Sequence, residues 1–297
     1  MEINVGGIKS IIYGLDNLNK QPKRDLAIVF ILHGRGESQD GIRQRLIATK
    51  CVSVANESDK RTRNLIAVTF DQRNHGSRHL SDLQNQGWPK NPNHLFDMFS
   101  IQQGTSRDVS YLIDYLPSFL FPNNEQNVVD FGCVGSSLGG HATWMALRQD
   151  ERISVGAPLI ACADYLSLMQ PRARKHNVDL NPPETFKQLI KKYDPMASLA
   201  SSTDVWKGKK IMALSGSDDK LVSPQHQLGF LSKLNELYAD DDASLIMFKS
   251  FDGVRHEVNE EMQNACANFI VNALLCNLSK DHLLEKGFQT SLGICKL

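Results

Sequence analysis

The chain has 297 residues, room for one or two domains at about 150 residues each and enough to bury a sizeable core. Lys plus Arg number 33 and Asp plus Glu number 33, so the formal charge is zero. That balance argues against a nucleic-acid or polybasic membrane-surface protein. At 41% hydrophobic and 22% charged residues, the composition also excludes a disordered chain or a coiled coil.

No apolar run approaches the ~18 residues of a membrane helix. Met1 to Lys20 mixes polar residues and lacks the basic-then-apolar pattern of a signal peptide. The cysteines, Cys51, Cys133, Cys162, Cys266, Cys276 and Cys295, are scattered and form no C-x-x-C pair. They are expected to be reduced thiols of an intracellular protein, without zinc-ligand spacing.

Residues 1 to 15 hold two short apolar runs around Gly6-Gly7, the pattern of an antiparallel edge hairpin. Asp25 to His33 (DLAIVFILH) is a short apolar run ending at Gly34 and predicts a buried strand, as does Asn64 to Phe70 (NLIAVTF). A polar stretch rich in Asn, Gln and His follows, roughly Asp71 to Pro92. Thr105 to Leu116 places Val109, Leu112, Ile113 and Leu116 at helical spacing, with Pro117 and Pro122 expected to close the helix. Asn127 to Val134 (NVVDFGCV) predicts a strand that runs straight into Gly135-Ser136-Ser137-Leu138-Gly139-Gly140. A helix pattern follows, with Leu138, Ala142, Met145 and Ala146 on one face. Ile153 to Ala161, Lys210 to Ser215 and Ser244 to Phe248 complete the strands. Helices are predicted from Pro224 to Tyr238 and after Glu257.

Strands and helices in this alternation predict an α/β fold, a mostly parallel central sheet flanked by helices, as a single domain over 1–297. The stretch 164–206 breaks the alternation. It holds Pro171, Pro182, Pro183, Pro195, a basic run Arg172-Ala173-Arg174-Lys175-His176 and one helical stretch, Glu184 to Lys192. It is expected to be a cap-like insertion after the sixth strand, or else a solvated connecting loop. Residues 286–297 form a C-terminal tail.

Gly135-Ser136-Ser137-Leu138-Gly139 matches G-x-S-x-G between a strand and a helix, the setting of a nucleophile elbow. The flanking glycines leave room for a sharp turn, and the helix N-terminus aims its N–H groups at the serine oxygen. Ser137, between the glycines, is the candidate nucleophile; Ser136 is one residue out of register. A serine hydroxyl needs a base, and the acid and histidine are expected downstream in that order. Gly216-Ser217-Asp218-Asp219 follows the Lys210 strand and Gly253-Val254-Arg255-His256 follows the Ser244 strand. The pattern G-x-x-D-x-x-V favours Asp219 over Asp218 as the acid. His256 is the histidine in a post-strand loop, whereas His226 begins a helix and His282 lies in the tail. His33-Gly34-Arg35-Gly36 follows the Asp25 strand. Backbone N–H groups of Arg35 and Leu138 are the candidates for an oxyanion hole, with His33 bracing the loop.

Together these residues resemble the α/β-hydrolase superfamily of serine esterases, lipases and peptidases, over roughly Asp25 to Asn272. The resemblance rests on His33-Gly34-x-Gly36, the elbow at Ser137, Gly216-x-x-Asp219, Gly253-x-x-His256 and the segment Asp71 to Gly76. The resemblance implies a structural role for that last segment, which here carries Asn74 and Arg78 in place of the glycine and serine of its relatives. The expected activity is hydrolysis of carboxylic esters by Ser137, Asp219 and His256 through an acyl-enzyme, without metal or cofactor. Acyl-thioester or lipid hydrolysis uses the same machinery, and a non-catalytic small-molecule-binding member is the alternative of another class. A metal site at Asp71, His75 and His79 is a further alternative. A dehalogenase or epoxide hydrolase is disfavoured because serine, not aspartate, occupies the elbow. The basic run at Arg172 to Lys175 meets either solvent or an anionic group of the substrate, such as coenzyme A. The ending Cys295-Lys296-Leu297 resembles a type-1 peroxisomal targeting signal, so the expected location is peroxisomal or cytoplasmic and the expected partner an import receptor. The other expected partner is a small-molecule ester or thioester; no nucleic acid or integral membrane contact is expected.

Overall fold

Strands that are apolar along their whole length need cover on both faces. In the computed structural model, which describes residues 1–201 and 203–276, they form one eight-stranded sheet. β1 (Glu2–Val5) and β2 (Ile8–Tyr13) make the expected antiparallel hairpin, turning through Gly6 and Gly7 at positive φ. β2 also pairs antiparallel with β4 (Asn64–Phe70). From β4 the sheet runs parallel through β3 (Leu26–Leu32), β5 (Val128–Ser136), β6 (Ile153–Leu159), β7 (Lys210–Gly216) and β8 (Leu245–Phe251).

Successive residues of β3 serve opposite cores. Leu26, Ile28, Phe30 and Leu32 join one apolar cluster, and Ala27, Val29 and Ile31 join the other. The first cluster is completed by α2 (His94–Leu120), α3 (Leu138–Gln149) and α7 (Gln225–Leu237). The second is completed by α1 (Ile42–Glu57) and α8 (Glu260–Leu275). Burying both faces of the central strands fixes their register, because a slip of one residue would exchange the two cores.

Three features depart from the sequence reading. α1 was not predicted: its inward face is Ile47, Ala48, Cys51, Val52 and Ala55, mostly small residues that give little periodic contrast. α2 starts about three turns early and continues through Pro117, which therefore does not close it. Pro117 lies in the last turn, where a missing N–H removes only one bond, and Leu116 and Phe121 still pack on the core. The basic run lies on a helix, α4 (Tyr165–Lys175), which passes through the exposed Pro171. Asp164 caps it by accepting from Ser167 N at 3.0 Å, and Tyr165, Leu168, Met169 and Ala173 face inward.

Between β6 and β7 the chain thus forms α4, α5 (Glu184–Tyr193) and α6 (Pro195–Ser198). A third apolar cluster joins Tyr165, Met169, Phe186 and Ile190 of this segment to Leu95, Met98 and Phe99 of α2 and to Leu138 of α3. The described cysteines are free and buried. No helix among the described residues is long and apolar enough to cross a membrane. The tail 286–297, with Cys295-Lys296-Leu297, lies outside the described residues.

Asp194 holds the inserted helices in place. Its carboxylate accepts from Tyr165 N at 2.9 Å and from Ala197 N at 3.3 Å, at the starts of α4 and α6. Burial, with Asp164 nearby, pushes its pKa from 3.8 up to about 7. A carboxyl whose folded pKa is raised binds its proton more tightly folded than unfolded, so its contribution is full at low pH and is lost as pH climbs towards about 7. Thermal melts of Asp194→Asn between pH 4 and 7 are expected to show a flatter fall in midpoint with rising pH than the wild type.

Candidate active site

The chain leaves β3 for β4 on one side and returns through β5 on the other, so a crevice opens at the carboxyl ends of β3 and β5. The loop after β3 carries Arg35 and the turn after β5 carries Ser137. Ser137 sits at φ 52° and ψ −114°, a left-handed conformation rare for a residue with a side chain. It is held there by its own N–H, which donates to Leu159 O at 2.9 Å, and by His141 N, which donates to Ser137 O at 2.9 Å. Both motif glycines are sterically required. A Cβ on Gly135 would lie 2.2 Å from Gly139 O, and one on Gly139 would lie 2.4 Å from Leu32 O. The turn is therefore wedged against its own helix and against β3.

Ser137 Oγ lies 2.8 Å from His256 Nε2, and His256 Nδ1 lies 2.7 Å from Asp219 Oδ2. With Nδ1–H donating to the carboxylate, Nε2 is left to accept from the serine hydroxyl. The other oxygen of Asp219 accepts from Leu221 N at 2.9 Å and Val222 N at 2.8 Å, so the buried carboxylate is fully partnered. Asp218 instead meets Ser217 Oγ at 3.1 Å on the exposed side of the turn. The loops after β7 and β8 are laced together. Ser217 N donates to Phe251 O at 2.9 Å, Asp218 N to Val254 O at 3.0 Å and Gly253 N to Ser217 Oγ at 2.9 Å.

Leu138 is the first residue of α3, so its N–H has no acceptor within the helix. It lines the Ser137 cleft together with Arg35, whose loop His33 braces. His33 Nδ1 lies 2.8 Å from Gly34 O, and Nε2 accepts from Gln72 N at 3.0 Å. Burial pushes the ring down to about 4, which keeps it neutral. Asp71 ties the neighbouring loop by accepting from Gln39 N, Ser77 N and Ser77 Oγ, each at 2.7 Å. Asn74 takes a left-handed turn at φ 58° and accepts from Leu80 N and Ser81 N, while Arg78 donates to Asp71 O and pairs with Asp108. The two departures from the family pattern are thus both built into this loop. The metal alternative does not assemble. The Asp71 carboxylate is occupied, His75 Nδ1 lies on Arg73 O, and His79 pairs with Asp82 in solvent.

A narrow cleft open to solvent lies beside Ser137. Its walls include Arg172, which the sequence offered either to solvent or to an anionic substrate group, and Met98, Tyr165, Leu168, Met169 and His141, which the sequence reading did not place in the site. For His141 a signal was present: it stands one helical turn after Ser137. Burial pushes it down to about 4, and its Nδ1 lies 2.8 Å from Cys162 O.

Residues 105–274 match the prolyl oligopeptidase family. No curated protein matches the chain. Among solved structures, TT1662 from Thermus thermophilus is similar over 92% of this chain and 97% of its own, with a TM-score of 0.64 and 16% identity. A putative dipeptidyl aminopeptidase IV from Bacteroides ovatus is similar over 92% of this chain and 34% of its own, with a TM-score of 0.58 and 16% identity. Est1E from Butyrivibrio proteoclasticus, with ferulic acid bound, is similar over 92% and 99%, with a TM-score of 0.57 and 15% identity. At these identities the likeness is one of fold, and the fold is that of the α/β hydrolases.

Gly216, at the end of β7, sits where the two loops press together. A Cβ there would lie 2.1 Å from Val254 O and 2.6 Å from Arg255 O, both backbone atoms next to His256. Gly216→Ala is expected to cost about 1–3 kcal/mol by overpacking. It should lower the thermal midpoint by several degrees relative to Gly229→Ala, where only the flexible end of Met196 lies nearby, at 3.9 Å.

Proposed function

The chain belongs to the prolyl oligopeptidase family, and we propose that it is a serine hydrolase of carboxylic esters acting through Ser137, His256 and Asp219. The hydrogen-bonded run from Ser137 Oγ through His256 to Asp219 carries this reading. His256 Nε2 takes the hydroxyl proton as Ser137 Oγ bonds to the carbonyl carbon. The carbonyl oxygen, now an anion, turns towards the N–H groups of Leu138 and Arg35. His256 then gives the proton to the departing alcohol, and an acyl group is left on Ser137. Water, deprotonated by the same nitrogen, releases the acid. Asp219 keeps the imidazole in the useful tautomer and offsets the charge it gains. The strained backbone of Ser137 presents Oγ without requiring movement at the moment of attack.

An ester is favoured over a peptide with a free amino terminus by the charges around the cleft. Among the described residues its lining includes no Asp or Glu, so no carboxylate there is placed to pair with the α-ammonium of an aminopeptidase substrate. Met98, Leu138, Leu168, Met169 and Val222 offer an apolar wall to an acyl chain instead. A thioester would be cleaved by the same groups.

Treatment of the purified protein with a fluorophosphonate probe is expected to label it, and Ser137→Ala to abolish both labelling and turnover of a model ester such as p-nitrophenyl butyrate. Labelling that persists in Ser137→Ala, or none in folded wild type, overturns the reading. Asp219→Asn is expected to lower kcat by roughly 1,000- to 10,000-fold, as loss of the histidine's orienting acid does elsewhere. Asp218→Asn should change it less than about twofold.

A further inference from the structure

The Ser137 cleft opens into a second lobe of about 350 Å³, and the two share Arg35, Leu168, Arg172 and Leu221 in their walls. The second lobe adds Lys175, Lys220 and His226 and, among the described residues, is lined by no Asp or Glu. In a protein whose charges cancel, this wall gathers four fixed cations, with Asp219 and Asp164 acting on it only from outside the lining. The two arginines shared by both lobes are unpaired. Neither has a carboxylate within ion-pair distance among the described residues.

Arg172 is half-buried, and its guanidinium meets only uncharged acceptors. It donates to Leu221 O and approaches Met169 Sδ at 3.9 Å, while its Nε is buried without a partner. Burial and the charge of Arg35 both push its pKa down. Holding one guanidinium partly desolvated beside another is unfavourable unless an anion joins them. Two nearby histidines add little positive charge of their own. His94, in the same wall, is pushed down to about 4 by burial, and burial also lowers His226.

The geometry points to an anion seat between Arg35 and Arg172, so that the substrate is an ester with an apolar acyl end and a phosphate or carboxylate at the other. This rests on the Ser137 cleft being the place of reaction. The acyl end lies among Met98, Leu138 and Met169, and the anionic end projects into the cationic lobe. Guanidinium groups suit such a partner because their fork of N–H donors matches the oxygens of phosphate and carboxylate.

Calorimetric titration with hexyl phosphate, heptanoate and hexanol tests the seat without requiring turnover. It is run on Ser137→Ala as well as wild type, so its outcome is separable from that of ester cleavage. At least one anion is expected to bind ten times or more tighter than hexanol, with the advantage shrinking as salt is added. The stronger of the two anions identifies the group. Arg172→Gln is expected to reduce the advantage by roughly 10- to 100-fold, the size of a lost charged hydrogen bond. Arg35→Gln, on the exposed rim and retaining its backbone N–H, provides a second reading if Arg172→Gln melts early. Equal affinity for hexanol and both anions overturns the inference, as does an anion preference unchanged in both arginine variants.

Discussion

The backbone of Ser137 is the constraint on which the rest of the site depends. A side-chain-bearing residue at φ 52° costs on the order of 1–3 kcal/mol, and the turn persists only because its surroundings leave no alternative. β5 lies near the middle of the sheet, hydrogen-bonded to β3 on one side and β6 on the other, so the entry to the turn cannot shift. The exit is equally fixed. Trp144, Ala146 and Leu147 bury α3 in the core beneath it. Gly135 then lets α3 close on β5, and Gly139 lets it approach β3, until backbone touches backbone. An apolar sheet covered on both faces is therefore the device that holds one serine in an unfavourable shape.

The other half of the site is positioned by contacts between loops. Asp219 and His256 come from turns after adjacent parallel strands, so the spacing of β7 and β8 already brings them near one another. Three cross-loop hydrogen bonds and the close approach at Gly216 complete the alignment. Around this centre, burial removes positive charge from the imidazoles. His33, His94 and His141 are each driven down to about 4. The fixed positive charges in the cleft walls are guanidinium and ammonium groups, which do not switch off over the physiological range.

Much of this was legible in the sequence because glycine and apolar runs leave unambiguous marks. Six apolar runs gave the strands from β3 onward, the Gly6-Gly7 pair gave the hairpin, and G-x-S-x-G between strand and helix marked the elbow. The choice of Asp219 over Asp218 rested on Gly216 and Val222. Both have physical reasons: Gly216 admits the neighbouring loop, and Val222 N donates to the carboxylate. What escaped notice lacked contrast. α1 turns mainly alanine and cysteine inward, and the first turns of α2 bury His94 and Gln102 beside its apolar residues. α4 was hidden by Pro171 and by a run of cations usually solvated. Tertiary packing outweighs both, since the apolar side of α4 rests on α2.

The face of α4 unites the two properties of the cleft. Tyr165, Leu168, Met169 and Arg172 stand at i, i+3, i+4 and i+7, so a single helical stripe contributes both the apolar wall and the unpaired guanidinium. The basic run is thereby divided: Arg172 turns towards the serine, while Arg174 and Lys175 are exposed. None of these residues belongs to the strand-end turns that carry Ser137, Asp219 and His256. Ser137, Asp219 and His256 are placed by the sheet, and the helical stripe on the cleft wall is placed by a segment between β6 and β7. Its anchor, Asp194, holds α4 through Tyr165 N and not through the serine, the histidine or the acid. A change on the stripe can therefore alter what enters the cleft while the serine, the histidine and the acid keep the geometry that the sheet imposes on them.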